Sequence, residues 1–170
     1  EGREADPTAG IIDSQSVKTT EAGGPRGYDA GKKIKGRKRH IATDTAGNLL
    51  DGLVLSADIQ DRDGAPALIE RCRDAYPSLS RFFADGGYAG QKLAAAIAHI
   101  DHLAIEIVRR SDAHRFVVLP RRWVVERTIA WLNRCRRLAK DWEASVASAE
   151  AWLIIASIRR MTRRIAKLEL

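Results

Sequence analysis

The sequence has few cysteines and no long apolar run, and each scarcity limits what the protein can be. Its 170 residues include only two cysteines, Cys72 and Cys135, which lie far apart and form no CxxC or zinc-binding spacing. We interpret both as free thiols in a reducing compartment. No apolar run approaches the roughly 20 residues that span a membrane. The sequence therefore predicts a protein without membrane contact.

Acidic residues are in the minority, and this imbalance indicates the kind of partner. The chain has 29 Lys and Arg against 22 Asp and Glu, which gives a net charge of +7. So basic a protein favours a polyanionic partner, and nucleic acid is the first candidate. The length is sufficient for one domain with a substantial hydrophobic core. The first nine residues, EGREADPTA, are polar and contain Gly and Pro. We therefore expect a linker there that follows a missing upstream part of the chain.

The hydrophobic periodicity predicts an α/β fold in which helices cover a mixed sheet. A Gly-rich basic loop is predicted between the first strand and the second, over 21–36. The predicted strands are 9–19, two strands within 37–57 joined by a turn at 46–48, and the segments 81–85, 103–110 and 116–120. The predicted helices are 60–76, 89–100, 121–140 and 145–167.

Two aspartates lie where an apolar strand turns polar. Asp13 follows Gly-Ile-Ile, and Asp85 follows Phe-Phe-Ala and precedes two glycines. Taken alone, either residue also fits an ordinary turn or cap. If the two strands are neighbours, the carboxylates lie side by side and repel each other unless a cation neutralises them. Hard divalent cations, Mg²⁺ above all, prefer such oxygen ligands.

A third candidate acid, Glu126, lies on the third predicted helix. At about 100° per residue, the apolar residues of this helix form one stripe. Glu126 lies on the opposite face together with Arg122, Asn133, Arg137 and Lys140. One interpretation is a solvated face with an Arg122–Glu126 ion pair. The other is a face that meets a phosphate backbone, where a lone acid would be repelled unless it held a metal ion. The helix by itself leaves both open.

Several motifs together resemble a known family. The segments are IIDSQSVKTT, GYDAGKKIKGRKRH, QDRDGA, ADGGYAG, EIVRR and LPRRWVVERTIAWLNRCRRLAKDWE, and the resemblance extends from about residue 10 to residue 166. They resemble the DDE transposases of bacterial insertion sequences, specifically the IS5 group. The combination of ADGGYAG with WVVERTIAWLNRCRRLAKD is highly specific.

The resemblance implies a fold and a catalytic site. The implied fold is ribonuclease-H-like, a mixed central sheet flanked by helices, with Asp13 and Asp85 on adjacent central strands and Glu126 on a following helix. These three residues are implied to be catalytic and to bind two Mg²⁺ ions, with Mn²⁺ as an alternative. One ion would activate water, or later a DNA 3′-hydroxyl, and the other would stabilise the leaving oxygen. The implied activity is metal-dependent cleavage of transposon DNA ends and strand transfer into target DNA.

The resemblance also implies the organisation and the partners of the protein. We expect a DDE catalytic domain over 10–170, and a linker over 1–9 from a missing N-terminal DNA-binding segment. The expected partner is double-stranded DNA, as transposon terminal repeats and as target. We expect a homodimer in the DNA complex, located in the bacterial cytoplasm at the nucleoid.

Related transposases carry a Tyr-x2-Arg-x3-Glu-x6-Lys signature, which this chain matches in part. Arg122 and Glu126 match it, whereas Leu119 and Asn133 occupy its Tyr and Lys positions. Two basic residues predicted on the Glu126 face, Arg137 and Lys140, are candidates to replace the Lys. Phosphate contacts give affinity without reading sequence. We expect DNA contacts from Lys32, Lys33, Lys35, Arg37, Lys38, Arg39, Arg122, Asn133, Arg137 and Lys140.

Two other functions stay open at this point. One is a ribonuclease-H-like nuclease that cuts nucleic acid without strand transfer. The other is an inactive DNA-binding remnant of a decayed insertion element. A decayed copy would often have lost one of the three acids, and all three are present.

Overall fold

The computed structural model describes residues 5–108 and 123–167. The predicted strand 116–120 and the residues Leu119 and Arg122 lie outside these ranges. The strands are β1 (Ala9–Lys18), β2 (Gly27–Asp29), β3 (Ile34–Asp44), β4 (Leu49–Ser56), β5 (Arg81–Ala84) and β6 (Ala104–Ile107). The helices are α1 (Asp61–Ala75), α2 (Gln91–Ala96), α3 (Trp123–Leu132) and α4 (Val146–Ile165), with 3-10 turns at Gly86–Tyr88 and Arg136–Leu138.

The described strands form one mixed sheet. β1 pairs antiparallel with β3 on one side and parallel with β5 on the other, and β6 continues the sheet parallel to β5. β4 and the short β2 both pair antiparallel with β3. The predicted turn between β3 and β4 is confirmed. Gly47 adopts a φ of +86° there, and the Asp44 carboxylate accepts hydrogen bonds from the backbone of Ala46 and Asn48. This α/β arrangement was predicted, and it is compatible with a ribonuclease-H-like fold.

Helices cover both faces of the sheet, because alternate residues of each strand point to opposite sides. Ile12 and Phe82 belong to a core with residues of α1 and α2. Their neighbours Ile11 and Phe83 belong to a second core with residues of α3 and α4. The strands at the middle of the sheet are therefore buried on two sides. Within residues 5–108 and 123–167, no helix combines the length and the apolar character needed to cross a membrane.

Three predicted boundaries differ from the structure. The loop predicted over 21–36 contains β2 and the start of β3. The predicted helix 89–100 is reduced to the six residues of α2. The predicted helix 121–140 ends at Leu132, and the chain continues in tighter turns and the short 3-10 helix. The sequence predicted one helix face that carries Glu126 together with Asn133, Arg137 and Lys140. Because α3 ends at Leu132, these three residues do not continue that face.

Two buried arginines of β3 bind the segment that follows α3. Arg39 donates to the carbonyls of Leu138 and Lys140 at 2.7 and 3.1 Å. Arg37 donates to the carbonyls of Glu143 and Ala144 at 2.9 and 2.8 Å. The guanidinium groups, with five N–H donors each, thereby hold the connection between α3 and α4 against β3.

An ion pair completes this buried network. Arg37 Nη1 lies 3.3 Å from a carboxylate oxygen of Asp141, and the two side chains are 0% and 1% exposed. Burial lowers the pKa of Arg39 to about 10, so its guanidinium stays charged at neutral pH. A charge inside a protein is tolerated only when it is paired and hydrogen-bonded. Arg37 meets both conditions, and Arg39 is held by the carbonyls of Leu138 and Lys140.

The predicted DNA contacts of Arg37, Lys38 and Arg39 are therefore wrong. The three residues are 0%, 5% and 2% exposed, because β3 is covered on both faces. The amino group of Lys38 lies 2.9 Å from Asp61 and 3.5 Å from Asp29. All three cations are engaged inside the fold and present no side chain to a phosphate backbone.

We expect Asp141→Asn to lower the free energy of unfolding by about 3–5 kcal/mol, because it leaves the buried Arg37 charge without its partner. The measurement is equilibrium unfolding in urea at neutral pH. Asp63→Asn is the matched control, since Asp63 pairs with the exposed Lys92 at 2.7 Å. An ion pair of that kind contributes about 0–1 kcal/mol. Equal losses in the two variants would contradict the role assigned to Arg37.

Candidate active site

The pairing of β1 with β5 brings Asp13 and Asp85 to the same level. The parallel register joins Gly10 to Phe82 and Ile11 to Phe83. Asp85 directly follows β5 in an extended conformation, so two residues further along both strands Asp13 stands beside Asp85. Both residues are partly exposed. The adjacency of the two strands, which the sequence could only assume, is a feature of the structure.

The two aspartates face the side of the sheet that α3 covers. Asp13 alternates with Ile11, and Asp85 alternates with Phe83, and both apolar residues pack in the core with α3 and α4. α3 contacts β1 and β3 on that side. It is attached to the β3–β4 turn by Thr128, whose hydroxyl donates to the Gly47 carbonyl at 2.9 Å.

Glu126 lies on the solvent side of α3. Its neighbours Val124 and Val125 are buried, whereas Glu126 is exposed. The structure thus places Glu126 at an exposed position of the helix that contacts β1, the strand of Asp13. Arg122, the other matching residue of the family signature, lies outside the described residues.

The carboxylates of Asp13 and Asp85 are suitable ligands for a hard divalent cation, but the described residues do not bring a third ligand to them. Carboxylate oxygens are the ligands that Mg²⁺ prefers. A side chain at Gly86, next to Asp85, would meet no atom within 4 Å, so the space there is open. Among residues 5–108 and 123–167, however, no three His, Cys, Asp or Glu side chains are arranged around one ion. The assignment of Asp13, Asp85 and Glu126 as metal ligands stays a prediction.

Asp85 also has a local structural role, because it caps the turn that follows β5. Its carboxylate accepts a hydrogen bond from the Gly87 amide at 2.7 Å and caps the 3-10 turn Gly86–Tyr88. The cap interpretation and the site interpretation are therefore compatible, because a carboxylate has further acceptor positions. The cap fixes the orientation of the carboxylate at the end of β5.

A polar network lies behind the pair, on the α1 side of the sheet. Asp61, the first residue of α1, accepts hydrogen bonds from Ser14 Oγ at 2.7 Å and from Lys38 Nζ at 2.9 Å. Burial alone would raise the pKa of Asp61, but these two bonds and the charges of Lys38 and Lys32 hold it below its ordinary value. The sequence predicts a helix over 60–76 but gives no signal that the start of this helix lies near the candidate site.

Tyr88 completes the surroundings of the pair. The residue is 2% exposed, and its hydroxyl has no hydrogen-bond partner among the described residues. Burial, together with the negative charges of Asp13, Asp61 and Asp85, raises the pKa of this hydroxyl well above its usual value. The side chain of Ser14 acts on this pKa in the opposite direction.

His40 lies beneath α1 in the same region. Both ring nitrogens are buried without a hydrogen-bond partner in the described part of the chain, and the ring lies against Gly64 of α1. Burial lowers the pKa of His40 to about 4, with the nearby cations Lys38 and Lys32 acting in the same direction and Asp61 opposing them. The imidazole is therefore neutral at physiological pH.

The exposed cations of the β2–β3 region form a basic surface. Lys32, Lys33 and Lys35 are exposed, as the predicted DNA contacts require. A shallow depression of about 390 Å³ there is lined by Lys18, Thr19, Arg26, Tyr28, Lys33 and Lys35. Lys32 instead extends towards the candidate site, with its amino group 3.4 Å from the carbonyl of Ser14.

The other predicted DNA contacts lie on the α3–α4 connection. Arg137 and Lys140 are exposed, and Asn133 is partly buried. Arg137 lies 3.5 Å from Glu143 and over the Trp152 ring, and Lys140 lies over the Trp142 ring. Arg137 and Lys140 are thus at the surface, but they do not lie on a continuation of α3 as predicted.

Comparison with known proteins identifies the class to which this arrangement belongs. The model of the family described as "Transposase DDE domain" matches residues 4–161, which is nearly the whole chain. The chain therefore belongs to the DDE transposase domain family. Members of this family generally use divalent metal ions.

One relative from Burkholderia cepacia supports the same family. It is described as "Putative transposase for insertion sequence element IS402" and is 31% identical over 144 residues. The match covers 78% of this chain and 64% of the relative. This chain thus corresponds to less than two thirds of that relative's length.

We expect the stability of the protein to fall between about pH 6.5 and pH 4 in part because of His40. Between these pH values the His40 imidazole is protonated in the unfolded chain. In the folded protein it stays neutral, because its pKa is lowered to about 4. The resulting loss is on the order of 3 kcal/mol when the pH falls through the whole window, and the contribution is fully present above pH 6.5.

The measurement compares urea unfolding at several pH values for the wild type and His40→Gln, which should lack this part of the pH dependence. His99→Gln is the control, because the His99 side chain is 62% exposed and should leave the pH dependence nearly unchanged. An unaltered pH dependence in His40→Gln would contradict the assignment.

Proposed function

We propose that this chain is the catalytic domain of an IS5-group transposase, which cleaves transposon DNA ends and joins them to target DNA in a metal-dependent reaction. The observation that carries the proposal is the β1–β5 register, because it brings Asp13 level with Asp85 at one point of the sheet. The match to the DDE transposase domain supports the same chemistry. Residues 1–9 would connect this domain to a DNA-binding segment, and residues 10–170 would form it.

The protein's part in the reaction is to hold reacting groups in place. Asp13 and Asp85 would bind divalent cations, Mg²⁺ or Mn²⁺, which when bound activate the attacking oxygen and stabilise the leaving oxygen. Water attack nicks the transposon end, and the freed 3′-hydroxyl then attacks target DNA. Both attacks break one P–O bond and form another, so the same carboxylates serve both steps. No covalent enzyme intermediate is required.

Glu126 would complete the site when DNA is bound. In the structure its carboxylate is on the exposed side of α3, a few residues from the Thr128 contact that attaches α3 to the β3–β4 turn. Bound phosphates and cations would offset the charge of a third carboxylate beside the pair. Arg122, four residues earlier in the sequence, would contact the DNA.

The basic surface of the β2–β3 region would bind the DNA backbone. Lys33 and Lys35 line the depression described above, and Lys32 reaches Ser14, which follows Asp13. This arrangement would guide a phosphate backbone from the basic surface to the aspartate pair. Arg137 and Lys140 would add phosphate contacts, with Asn133 beside them. The partner is double-stranded DNA, bound by a homodimer in the bacterial cytoplasm at the nucleoid.

We expect Asp13→Asn, Asp85→Asn and Glu126→Gln each to abolish Mg²⁺-dependent cleavage of DNA that carries the transposon ends. The amides keep the shape of the side chains but are poor ligands for a hard cation. DNA binding should be retained, because removal of a negative charge does not weaken phosphate contacts. The measurements are a cleavage assay and a gel-shift assay on the same DNA.

Glu21→Gln, a change at an exposed position of the Gly-rich loop, is the control for cleavage. Full activity in any of the three acid variants would contradict the proposed triad. Pre-cleaved transposon ends supplied with plasmid DNA distinguish the rival function: nicking without joined product would favour a nuclease over a transposase. DNA binding without any cleavage by the wild type would favour an inactive remnant.

We expect Lys33→Ala to weaken DNA binding and to reduce its dependence on salt. Each lost phosphate contact should lower the slope of log K against log salt concentration by about 0.9. The measurement is fluorescence anisotropy with duplex DNA over a series of salt concentrations. Lys92→Ala is the matched control, because Lys92 is an exposed lysine on α2 whose charge is paired with Asp63. The same slope in both variants would place the DNA elsewhere.

A further inference from the structure

Helix α4 has apolar residues on two sides, and only one of these sides packs against the protein. Its inner side, which includes Ala149 and Leu153, is buried in the core with α3. Its outer side carries large apolar residues such as Ile154, Ile158 and Ile165, which are 49%, 54% and 53% exposed. Five of the nine large apolar side chains that are exposed in the described residues belong to this helix. Such a concentration on one element is typical of an interaction surface.

The outer apolar residues form one straight row along the helix, which we call the α4 stripe. Its members follow one another at intervals of 4, 3, 4, 3 and 4 residues, and all are exposed: Ala147, Ala151, Ile154, Ile158, Met161 and Ile165. This spacing repeats every seven residues, and it keeps apolar side chains aligned along a second helix that packs lengthwise against the first. The α4 stripe therefore fits a helix as its partner.

The size of the side chains changes along the α4 stripe. The first two members are alanines, whereas the last two, Met161 and Ile165, are large. A second α4 in antiparallel orientation would place Ala147 opposite Ile165 and Ala151 opposite Met161. Small and large residues would then face each other and fill the space between the helices. A parallel copy would instead place alanine against alanine and leave a gap.

The charges of α4 favour the same orientation. The half towards its C-terminus carries three exposed arginines, Arg159, Arg163 and Arg164, whereas the half towards its N-terminus has a single charged residue, Glu150. A parallel pair would bring the arginines of two copies side by side, and like charges so placed repel each other. An antiparallel pair separates them and brings each basic half to the half that carries Glu150.

We propose that the α4 stripe is a dimer interface, on which the α4 stripe of a second copy of this chain packs in antiparallel orientation. Ile154 of each copy then faces Ile158 of the other at the middle of the interface. The same surface serves both copies, as two-fold symmetry requires. This inference rests on the proposed function for the homodimer and adds the surface that forms it. The interface itself requires neither DNA nor a metal ion.

The first test measures the mass in solution by sedimentation equilibrium, without DNA or metal, for the wild type, Ile158→Glu and Ile59→Glu. Ile158→Glu places a charge in the middle of the α4 stripe, and Ile59→Glu is the same change at an exposed isoleucine outside α4. We expect the mass of two chains for the wild type and Ile59→Glu, and the mass of one chain for Ile158→Glu. Because both positions are exposed, the far-ultraviolet circular dichroism spectra should be unchanged.

A second test determines the orientation by disulfide formation. Ala151→Cys and Met161→Cys are each made in a chain that also carries Cys135→Ser, and Cys72 is buried. We expect cross-linked dimers when the two variants are mixed and oxidised, because only an antiparallel pair brings position 151 of one copy to position 161 of the other. Cross-linking within each variant alone, and none between the two, would contradict the antiparallel arrangement.

The outcomes separate this inference from the proposed function. A monomeric wild type, or a dimer that persists in Ile158→Glu, would overturn the interface and leave the catalytic proposal intact. A monomer that binds vesicles of anionic phospholipid, and loses this binding in Ile158→Glu, would assign the α4 stripe to a membrane surface and also overturn the inference. A dimer that Ile158→Glu dissociates, in a protein that does not cleave DNA, would support the interface and overturn the proposed function.

Discussion

The buried ion pair between Arg37 and Asp141 joins the sheet to the connection between the last two helices, and much of the remaining structure depends on it. Arg37 comes from β3, which is covered on both faces, and Asp141 comes from a segment about a hundred residues later. The same guanidinium and that of Arg39 bind five backbone carbonyls between residues 138 and 145. These bonds attach the connection between α3 and α4 to the sheet.

The candidate site depends on a second long-range feature, the parallel pairing of β1 with β5. Residues 19–80, which contain β2, β3, β4 and α1, separate the two strands in sequence. Only this pairing brings Asp13 and Asp85 to the same level of the sheet. The Asp61 network adjoins this point through Ser14, which follows Asp13. The candidate site therefore depends on the pairing of strands that are far apart in the chain.

The local sequence predicted which helices and strands form, but it predicted less accurately where they end. The β3–β4 turn was predictable because Gly47 and Asn48 suit a left-handed turn, and α1 was predictable from its spaced apolar residues. The early end of α3 was not predictable, because the helical spacing of apolar residues continues past Leu132 to Cys135 and Leu138. The burial of Arg37 and Arg39 was not predictable either. Six basic residues in a short segment look like a DNA-binding surface, and only packing separates the buried cations from the exposed ones.

The sequence by itself determined the α/β class, the order of most elements, and the two aspartates at strand ends, because these follow from local periodicity and residue type. Its motifs also indicated the DDE transposase family. Tertiary structure alone decided that Asp13 and Asp85 are adjacent, that Arg37 and Arg39 are structural, and that Asp61 lies near the candidate site. The physical reason is that strand pairing and burial join residues far apart in the chain, and no local pattern records such contacts.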